Sequence, residues 1–534
     1  MKLSEIYDLE AQRDFLCKGY KIPSYNRDTV IKNTTANPTW VHFGTGNIFR
    51  AFPAAVLDTL LENGICDRGV IAVEGFDYEI IDKAYKPFDN LSLLVTLKGD
   101  GCIDKRVVAA VTESLTADTA DEASFNRLKE IFVNESLQMV SFTITEKGYS
   151  LNGPDGNISG VVRDDFDNNC FPPKHLMGKI TYLLNERYKN GASKVAMVSM
   201  DNCSHNGDKL KSAVLEYAKH WKEAGLVEEG FVDYLMDEEQ VSFPLSMIDK
   251  ITPRPDQEIV DLLKKDGFED AEVIITSKNT YTSAFVNAEE TQYLVVEDKF
   301  PNGRPALEKG GIYFTDRETV DKVEKMKVCT CLNPLHTALA IFGCLLGYKT
   351  IWEEMKDDDL RNLITQMGYN EGMPVVVDPK IIKPESFIDE VLNLRLPNPF
   401  MPDTPQRIAT DTSQKLPIRF GETLKAYIAK GEDVTKLRYI PIVLAGYLKY
   451  LTGIDDDGKE FALSSDPLLD ELTRVMAVYK DGHAANAEEL RPILGREDIF
   501  AVDLYESGLA EKITAIFNDM NKNPGSVRRA LNEA

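Results

Sequence analysis

The 534-residue sequence is short of basic charge and of cysteine, and it lacks long apolar runs; each shortage removes a class of function. Lysine and arginine number 61 against 86 aspartates and glutamates, a formal net charge of −25. Such a surface repels nucleic acid and anionic lipid at long range, so neither is expected as a partner. A small anionic substrate stays possible, because a buried site can be locally basic. The eight cysteines (Cys17, Cys66, Cys102, Cys170, Cys203, Cys329, Cys331, Cys344) are thinly spread, which is not a disulfide framework. Cys329 and Cys331 form C-x-C without a second pair at zinc spacing, and there is no H-E-x-x-H, so no metal is expected. No apolar run approaches the ~18 residues of a membrane span. The start, MKLSEIYDLEAQRDF, is amphipathic and acidic, without the order of a signal peptide. A soluble cytoplasmic protein with reduced thiols is the expectation.

What is present is a globular composition, 43% hydrophobic and 28% charged, at a length that allows two to four domains or two large ones. The N-terminal half alternates strands and helices. TWVHF (39–43) is a buried-strand run ending at Gly44, and GVIAVEG (69–75) is another. Between them, the spacing of Phe49, Val56, Leu57, Leu60 and Leu61 predicts one helix over 47–63. LSLLVTLKG (91–99) and KRVVAAVTESL (105–115) read as an antiparallel pair about the turn GDG. Further strands are expected within 137–149, 193–202, EVIITS and TQYLVVED, with helices over 174–188 and 207–223. From about 305, helix-period stretches dominate: 317–329, 335–356, 384–395, 421–430, 440–452, 466–480 and most of 485–531. The expected fold is α/β, with a Rossmann-like dinucleotide-binding domain over 1–290 and a mainly α-helical substrate and catalytic domain over 291–534. DKFPNGRPALEKGG (298–311) is the turn-rich connector, and residues 1–37 are expected to cap the first domain with a helix.

Two motifs carry chemistry. The first is Gly44-Thr45-Gly46-Asn47-Ile48-Phe49-Arg50. A glycine turn after a buried strand lets backbone N–H groups approach a pyrophosphate, and the helix start that follows favours the anion. Phe49 replaces the third glycine of the usual pattern, so a tight turn with no ligand explains these residues equally well. Glu74 ends the next strand, where a carboxylate can accept both ribose hydroxyls and repel a 2′-phosphate, favouring NAD over NADP. Asp77 is close enough to be its rival.

The second motif is Glu324-x-x-Lys327-x5-Asn333-Pro334-Leu335-His336. Metal-free hydride chemistry on an alcohol needs a base, which a lysine can be, and donors for the developing alkoxide, which Asn and His can be. On one continuous helix Lys327 and His336 would lie about 180° apart. Asn333-Pro334 predicts a break there, with Asn333 capping the second helix. An exposed lysine, a capping asparagine and a core histidine would leave the same pattern.

With these segments the chain resembles the mannitol dehydrogenase family of polyol-specific long-chain dehydrogenases and hexuronate reductases. The resemblance rests on FGTGNIFRAF, on DNCSHNG (201–207), on FPLSMIDKITP (243–253) and on K-x5-N-x2-H at Lys327, Asn333 and His336. NPFMPDTPQRIATDTSQK (398–415) adds Arg407 and Lys415, eight apart. The glycine loop has one more residue before Phe49 than the family pattern, and Met200 stands where the family has cysteine. The resemblance implies Lys327 as general acid/base, Asn202 and Asn333 as donors to the substrate oxygen, His336 on a hydroxyl or carbonyl oxygen, and Glu324 as a proton relay. It implies Asp249, Arg407 and Lys415 as substrate-binding residues, with a structural acid paired with Lys250 or Arg254 as the lesser reading of Asp249. It implies NAD held by Gly44, Gly46, Phe49, Arg50 and Glu74, with Thr145, Glu146 and Lys147 near the nicotinamide.

The implied substrate is a linear ketose or ketouronate. The chain is longer than typical mannitol dehydrogenases, as bacterial fructuronate reductases are, which points to D-fructuronate reduced to D-mannonate. Mannitol 2-dehydrogenase, another polyol dehydrogenase and tagaturonate reductase remain alternatives, since Arg407 and Lys415 occur in polyol members too. A short-chain dehydrogenase is set aside, because no tyrosine is followed by lysine four residues later. An NAD-binding sensor would have no chemical reason to keep the whole set. Relatives suggest a monomer or weak homo-oligomer.

Overall fold

A computed structural model describes residues 1–533. The chain divides into two compact units, one comprising Met1–Lys98 and Cys102–Val320, the other Gly99–Gly101 and the chain from Asp321 onward. This division lies beyond the boundary expected at 290. The reason is strand pairing: Tyr293–Glu297 and Tyr313–Thr315 build a three-stranded sheet with β7 (Ser246–Asp249), inside the first unit.

The first unit is built on a six-stranded sheet of β1 (Trp40–Phe43), β2 (Val70–Glu74), β3 (Val111–Thr116), β4 (Met139–Phe142), β5 (Val195–Ser199) and β6 (Val241–Ser242). Their order is β3-β2-β1-β4-β5-β6, and every neighbouring pair is parallel. This is the doubly wound Rossmann arrangement, whose direction of winding reverses between β1 and β4. Alternate residues serve opposite faces, as a strand period of two requires. Val41, Phe43, Val140 and Phe142 join one core with Leu128, Leu183 and Trp221. Trp40, Ala72, Met139 and Val198 join the other with Phe49, Leu57 and Leu60.

Two expected elements are divided. The stretch 105–115 supplies two strands in two sheets. Ile103–Val108 pairs antiparallel with Ser92–Leu97 in a separate four-stranded sheet, while β3 enters the Rossmann sheet. The turn-over is pinned where the Asp58 carboxylate accepts Ala109 N at 2.9 Å and Val70 N donates to the Ala110 carbonyl at 2.9 Å. Alternating hydrophobicity runs through the two alanines and does not register the change of partner. The helix over 47–63 breaks at Phe52 (φ −129°, ψ −76°) into α1 (Asn47–Ala51) and α2 (Pro53–Glu62). Pro53 cannot donate within a helix but is well placed at the start of one. The N-terminal segment packs on the first unit: Leu3, Ile6 and Phe15 are buried, and Tyr20–Lys21 pairs parallel with Ile103–Val108.

The second unit is helical. Pro384–Glu390, Glu422–Ala429, Tyr439–Leu451 and Leu469–Met476 lie where the spacing predicts them. Helical conformation over Arg317–Leu346 includes an 18-residue window of mean hydropathy 1.5, against the expectation that no run would reach that length. Of that window 78% is buried, as in a core helix that is apolar all round. Four π-turns interrupt the helices of this unit: Lys327–Cys331, Met367–Gly372, Val391–Arg395 and Pro417–Gly421. Three of them carry a lysine or arginine of the site described next.

Candidate active site

In open α/β sheets ligands bind beyond the carboxyl ends of the strands, where the winding reverses. Here that point is flanked by the loops leaving β1 and β4. Gly44 leaves β1 at φ +101°, and a Cβ there would stand 2.1 Å from the Thr143 carbonyl oxygen after β4. Strand proximity alone demands glycine at this position. Gly46 is different. Its backbone is extended (φ −74°, ψ −177°), and nothing lies within 4 Å of where its Cβ would be. A ligand crossing the turn closely is a reason for glycine that the protein itself does not supply.

Arg50 is buried behind this turn. Its Nη1 donates to the Ser283 carbonyl at 2.7 Å, and its Nη2 to Asn47 Oδ1 at 2.9 Å and Thr282 Oγ1 at 3.1 Å. Its Nε is buried without a partner, and no carboxylate among the described residues pairs with it. Burial pushes its pKa down. A desolvated guanidinium lacking a counter-charge beside a glycine turn fits a pyrophosphate.

Phe49 and Glu74 do other work than the resemblance implies. The Phe49 ring is fully buried and stacked on His42, centroids 4.0 Å apart at 6°. It belongs to the core, not to a cofactor surface. Burial lowers the pKa of His42 to about 3, and the neutral ring bridges Ser141 and Thr143 hydroxyls at 2.6 and 2.8 Å. Glu74 Oε2 accepts from Thr45 N at 3.2 Å and from Thr45 Oγ1, and Oε1 accepts from Phe76 N at 2.9 Å and Asp77 N at 3.1 Å. A carboxylate has about four acceptor positions, and these donors fill them. Glu74 therefore clamps the turn and is not open to both ribose hydroxyls, while its charge still marks the end of β2. Asp77 is occupied by Thr276 Oγ1 at 2.6 Å.

Beyond β4, Thr145 adopts φ +64° and ψ +160°, a region essentially reserved for glycine and costing ~1–3 kcal/mol. Asp201 holds it there. The carboxylate accepts Ile144 N and Thr145 N at 2.9 Å each and Tyr149 Oη at 2.5 Å. Burial raises the Asp201 pKa. Thr145, Glu146 and Lys147 are exposed and line a cavity of about 1130 Å³ that also touches Phe166 and Lys209.

The segments DNCSHNG and FPLSMIDKITP prove to be one device. Asn206 donates to the Asp201 carbonyl at 2.9 Å and the Ser246 carbonyl at 3.0 Å, and accepts Ser246 N at 3.1 Å. A Cβ on Gly207 would meet the Pro244 carbonyl oxygen at 2.6 Å. The loop bearing Asp201 and exposed Asn202 is thus riveted to β7, whose last residue, Asp249, is buried opposite Tyr293. Lys250 donates to the Glu289 carbonyl at 2.8 Å and Gln292 Oε1 at 3.0 Å.

The helix over Arg317–Met326 (α3) passes into the π-turn Lys327–Cys331, breaks at Leu332 (φ −129°, ψ −63°), and restarts as α4 (Asn333–Leu346) with Pro334 in its first turn. The break falls where proline predicts it, but the capping position is Leu332, and Asn333 is the first helical residue. Its side-chain amide makes no hydrogen bond among the described residues, which leaves it free to donate to a ligand. Lys327 is buried. Among the described residues, Glu324, one turn earlier, makes no hydrogen bond or ion pair, so no direct contact supports its relay role.

His336 Nε2 lies 3.4 Å from Asp403 Oδ2 and is buried without a hydrogen-bond partner among the described residues. Burial lowers its pKa to about 4 against the pull of Asp403, with Arg419, Arg407 and Arg395 acting in the same direction as burial. A neutral imidazole with an unfilled nitrogen suits a substrate hydroxyl. Arg407 is ion-paired to Asp403 Oδ1, and its side chain is otherwise largely exposed. Lys415 Nζ donates to the Ile408 carbonyl at 3.0 Å and to that of Thr410. Burial, with Arg419 and Arg407 nearby, lowers its pKa to about 8.

Asp403 and Arg419 were not apparent from motifs. Asp403 joins His336 to Arg407; Arg419 Nη1 donates to Thr337 Oγ1 and, at 3.5 Å, to the Asn333 carbonyl. Each is four residues from a residue already marked, Asp403 from Arg407 and Arg419 from Lys415. Helical spacing was the signal that could have found them. Among the described residues no group of three or more His, Cys, Asp or Glu side chains could hold a metal.

Comparison with known proteins agrees with this architecture. Two family models match, "Mannitol dehydrogenase Rossmann domain" over residues 38–309 and "Mannitol dehydrogenase C-terminal domain" over residues 319–521. The chain is 53% identical over 519 residues to a D-mannonate oxidoreductase of Thermotoga maritima, with 96% of each chain covered. It is 29% identical over 470 residues to a polyol:NADP oxidoreductase of Gluconobacter oxydans, covering 87% of this chain and 89% of that one. Among solved structures, a substrate-free D-sorbitol dehydrogenase shares 26% identity at a TM-score of 0.79, with 96% of this chain and 97% of that one covered. The Pseudomonas fluorescens mannitol 2-dehydrogenase, in ternary complex with NAD and D-mannitol, shares 25% identity at 0.68, with 96% of each covered.

Proposed function

The chain belongs to the mannitol dehydrogenase family and is a dehydrogenase that uses a nicotinamide dinucleotide, and on that premise we propose that it reduces D-fructuronate to D-mannonate with NADH. The observation that carries the reading is charge. Arg395, Arg407, Arg419 and Lys415 gather about the Asn333–His336 turn, in a chain whose formal net charge is −25. A uronate carboxylate needs such a setting and a neutral ketose does not. The T. maritima relative, named for D-mannonate, supports the same substrate.

Bound NADH supplies the hydride. Lys327 gives a proton to the reduced carbonyl oxygen, and Asn202 and Asn333 donate hydrogen bonds to it as negative charge develops. Neutral His336 holds a hydroxyl. Asp249, Arg407 and Lys415 hold the rest of the substrate. Gly44, Gly46, Arg50 and Glu74 serve the cofactor, Glu74 by fixing the turn and setting a negative charge against a 2′-phosphate, which favours NAD over NADP. Thr145, Glu146 and Lys147 flank the nicotinamide. A cytoplasmic monomer or weak homo-oligomer fits this role.

The test is NADH oxidation with D-fructuronate, D-tagaturonate and D-fructose side by side, with NADPH as control. Preference for D-fructuronate is expected; preference for D-fructose would make the chain a polyol dehydrogenase. Replacing Lys327 by Ala should lower turnover by ~10²–10⁴ with NADH binding retained.

A further inference from the structure

We propose that Arg419 is the residue that receives the substrate carboxylate and so decides between ketouronate and neutral ketose; this rests on the reading of the chain as a ketouronate reductase. Of the cations about His336, Arg407 is ion-paired with Asp403, Lys415 is committed to two backbone carbonyls, and Arg395 is buried with partners of its own. Arg419 uses Nη1 alone, toward the Thr337 hydroxyl and the Asn333 carbonyl. Its Nε and Nη2 have no partner among the described residues, and no acid offsets its charge. Burial is the sole cause that lowers its pKa, to about 10. The unused Nε–Nη2 edge is one of the two-donor edges that grip a carboxylate bidentately.

Placement agrees with substrate dimensions. Arg419 is anchored at Thr337, four residues along α4 from Asn333, a rise of ~6 Å. In a linear ketouronate with its ketone four carbons from the carboxyl carbon, the two stand ~5 Å apart, given C–C bonds of ~1.5 Å. With the reacting oxygen at the Asn333 amide, the carboxylate falls beside Arg419. An unpaired, partly desolvated guanidinium is costly to keep without an anion to meet it.

The experiment compares wild type, Arg419→Gln and Arg419→Lys in the full-length chain. It measures kcat/KM for D-fructuronate and D-fructose, and binding of D-mannonate by calorimetry in the presence of NAD. For Arg419→Gln, the ratio of kcat/KM between D-fructuronate and D-fructose should fall at least 30-fold, and D-mannonate binding should weaken by a similar factor. Arg419→Lys, which keeps the charge but not the fork, should fall between. Equal losses on both substrates would overturn the proposal and leave Arg419 as a support for Asn333. If wild type reduces no ketouronate, the functional reading fails; D-mannonate binding that depends on Arg419 would still establish the carboxylate site, and its absence would overturn that too.

Discussion

Asp403 keeps its carboxylate 3.4 Å from His336 Nε2 without closing a hydrogen bond, because its other oxygen is tied to Arg407. The histidine is thus close to an acid and yet neutral, with a pKa lowered to about 4. Its titration is complete well below neutrality. The expected result is a kcat/KM profile with no step near 6.5 attributable to His336. A step there that disappears in His336→Asn would contradict the burial argument.

Lys415 sets the alkaline side. Its pKa, lowered to about 8, means that the ammonium is present below that value and lost above it. Loss of a cation from an anion site weakens binding. KM for a ketouronate should therefore begin to rise near pH 8, while KM for D-fructose should change little. Lys415→Arg, whose guanidinium stays charged, should remove the break. Steady-state kinetics from pH 6.5 to 9.5 checks this.

The two glycines of the nucleotide turn should separate by mechanism. Gly44→Ala places a Cβ 2.1 Å from the Thr143 carbonyl oxygen at a φ of +101°, so the variant should unfold at a markedly lower temperature or fail to accumulate. Gly46→Ala meets nothing in the protein. It should melt within a degree or two of wild type while NADH affinity, followed by fluorescence titration, drops at least tenfold.

How far the site could be read in advance depends on the range of the contacts. The strand–turn–helix about Gly44 and the break at Pro334 are local, set by neighbours within a few residues, and both are where the residues put them. The roles of Phe49 and Glu74 are not local. Which way the Phe49 ring turns depends on His42 in the adjacent strand, and whether Glu74 has a free lone pair depends on donors from two separate turns. Arg419 meets Thr337 and Asn333 across more than eighty residues, which no pattern of periodicity contains.

Glu354 lies outside the chemistry but bears on stability. It is fully buried beside Gly343, and neither carboxylate oxygen has a partner among the described residues. Burial raises its pKa well above 4.5. Between 4.5 and that higher value the unfolded chain has released a proton that the folded chain retains, so stability falls as pH rises, by up to about 1.4 kcal/mol per pH unit. Glu354→Met should remove this slope and stabilise the protein at pH 8 by ~1–3 kcal/mol. Thermal or urea denaturation at pH 5 and pH 8 would show the two curves diverging with pH.

The π-turn that carries Lys327 also makes the site sensitive to chain length in a way that side-chain substitution does not probe. A π-turn accommodates one residue more than the α-helix around it. Deleting Val328 or Thr330 would let the helix close into regular α-turns without loss of any side chain given a role here, yet would rotate Lys327 by ~100° relative to α4. The lysine proposed as acid/base and the Asn333–His336 turn are thus kept in phase by a single supernumerary residue, much as a leap day keeps a calendar aligned.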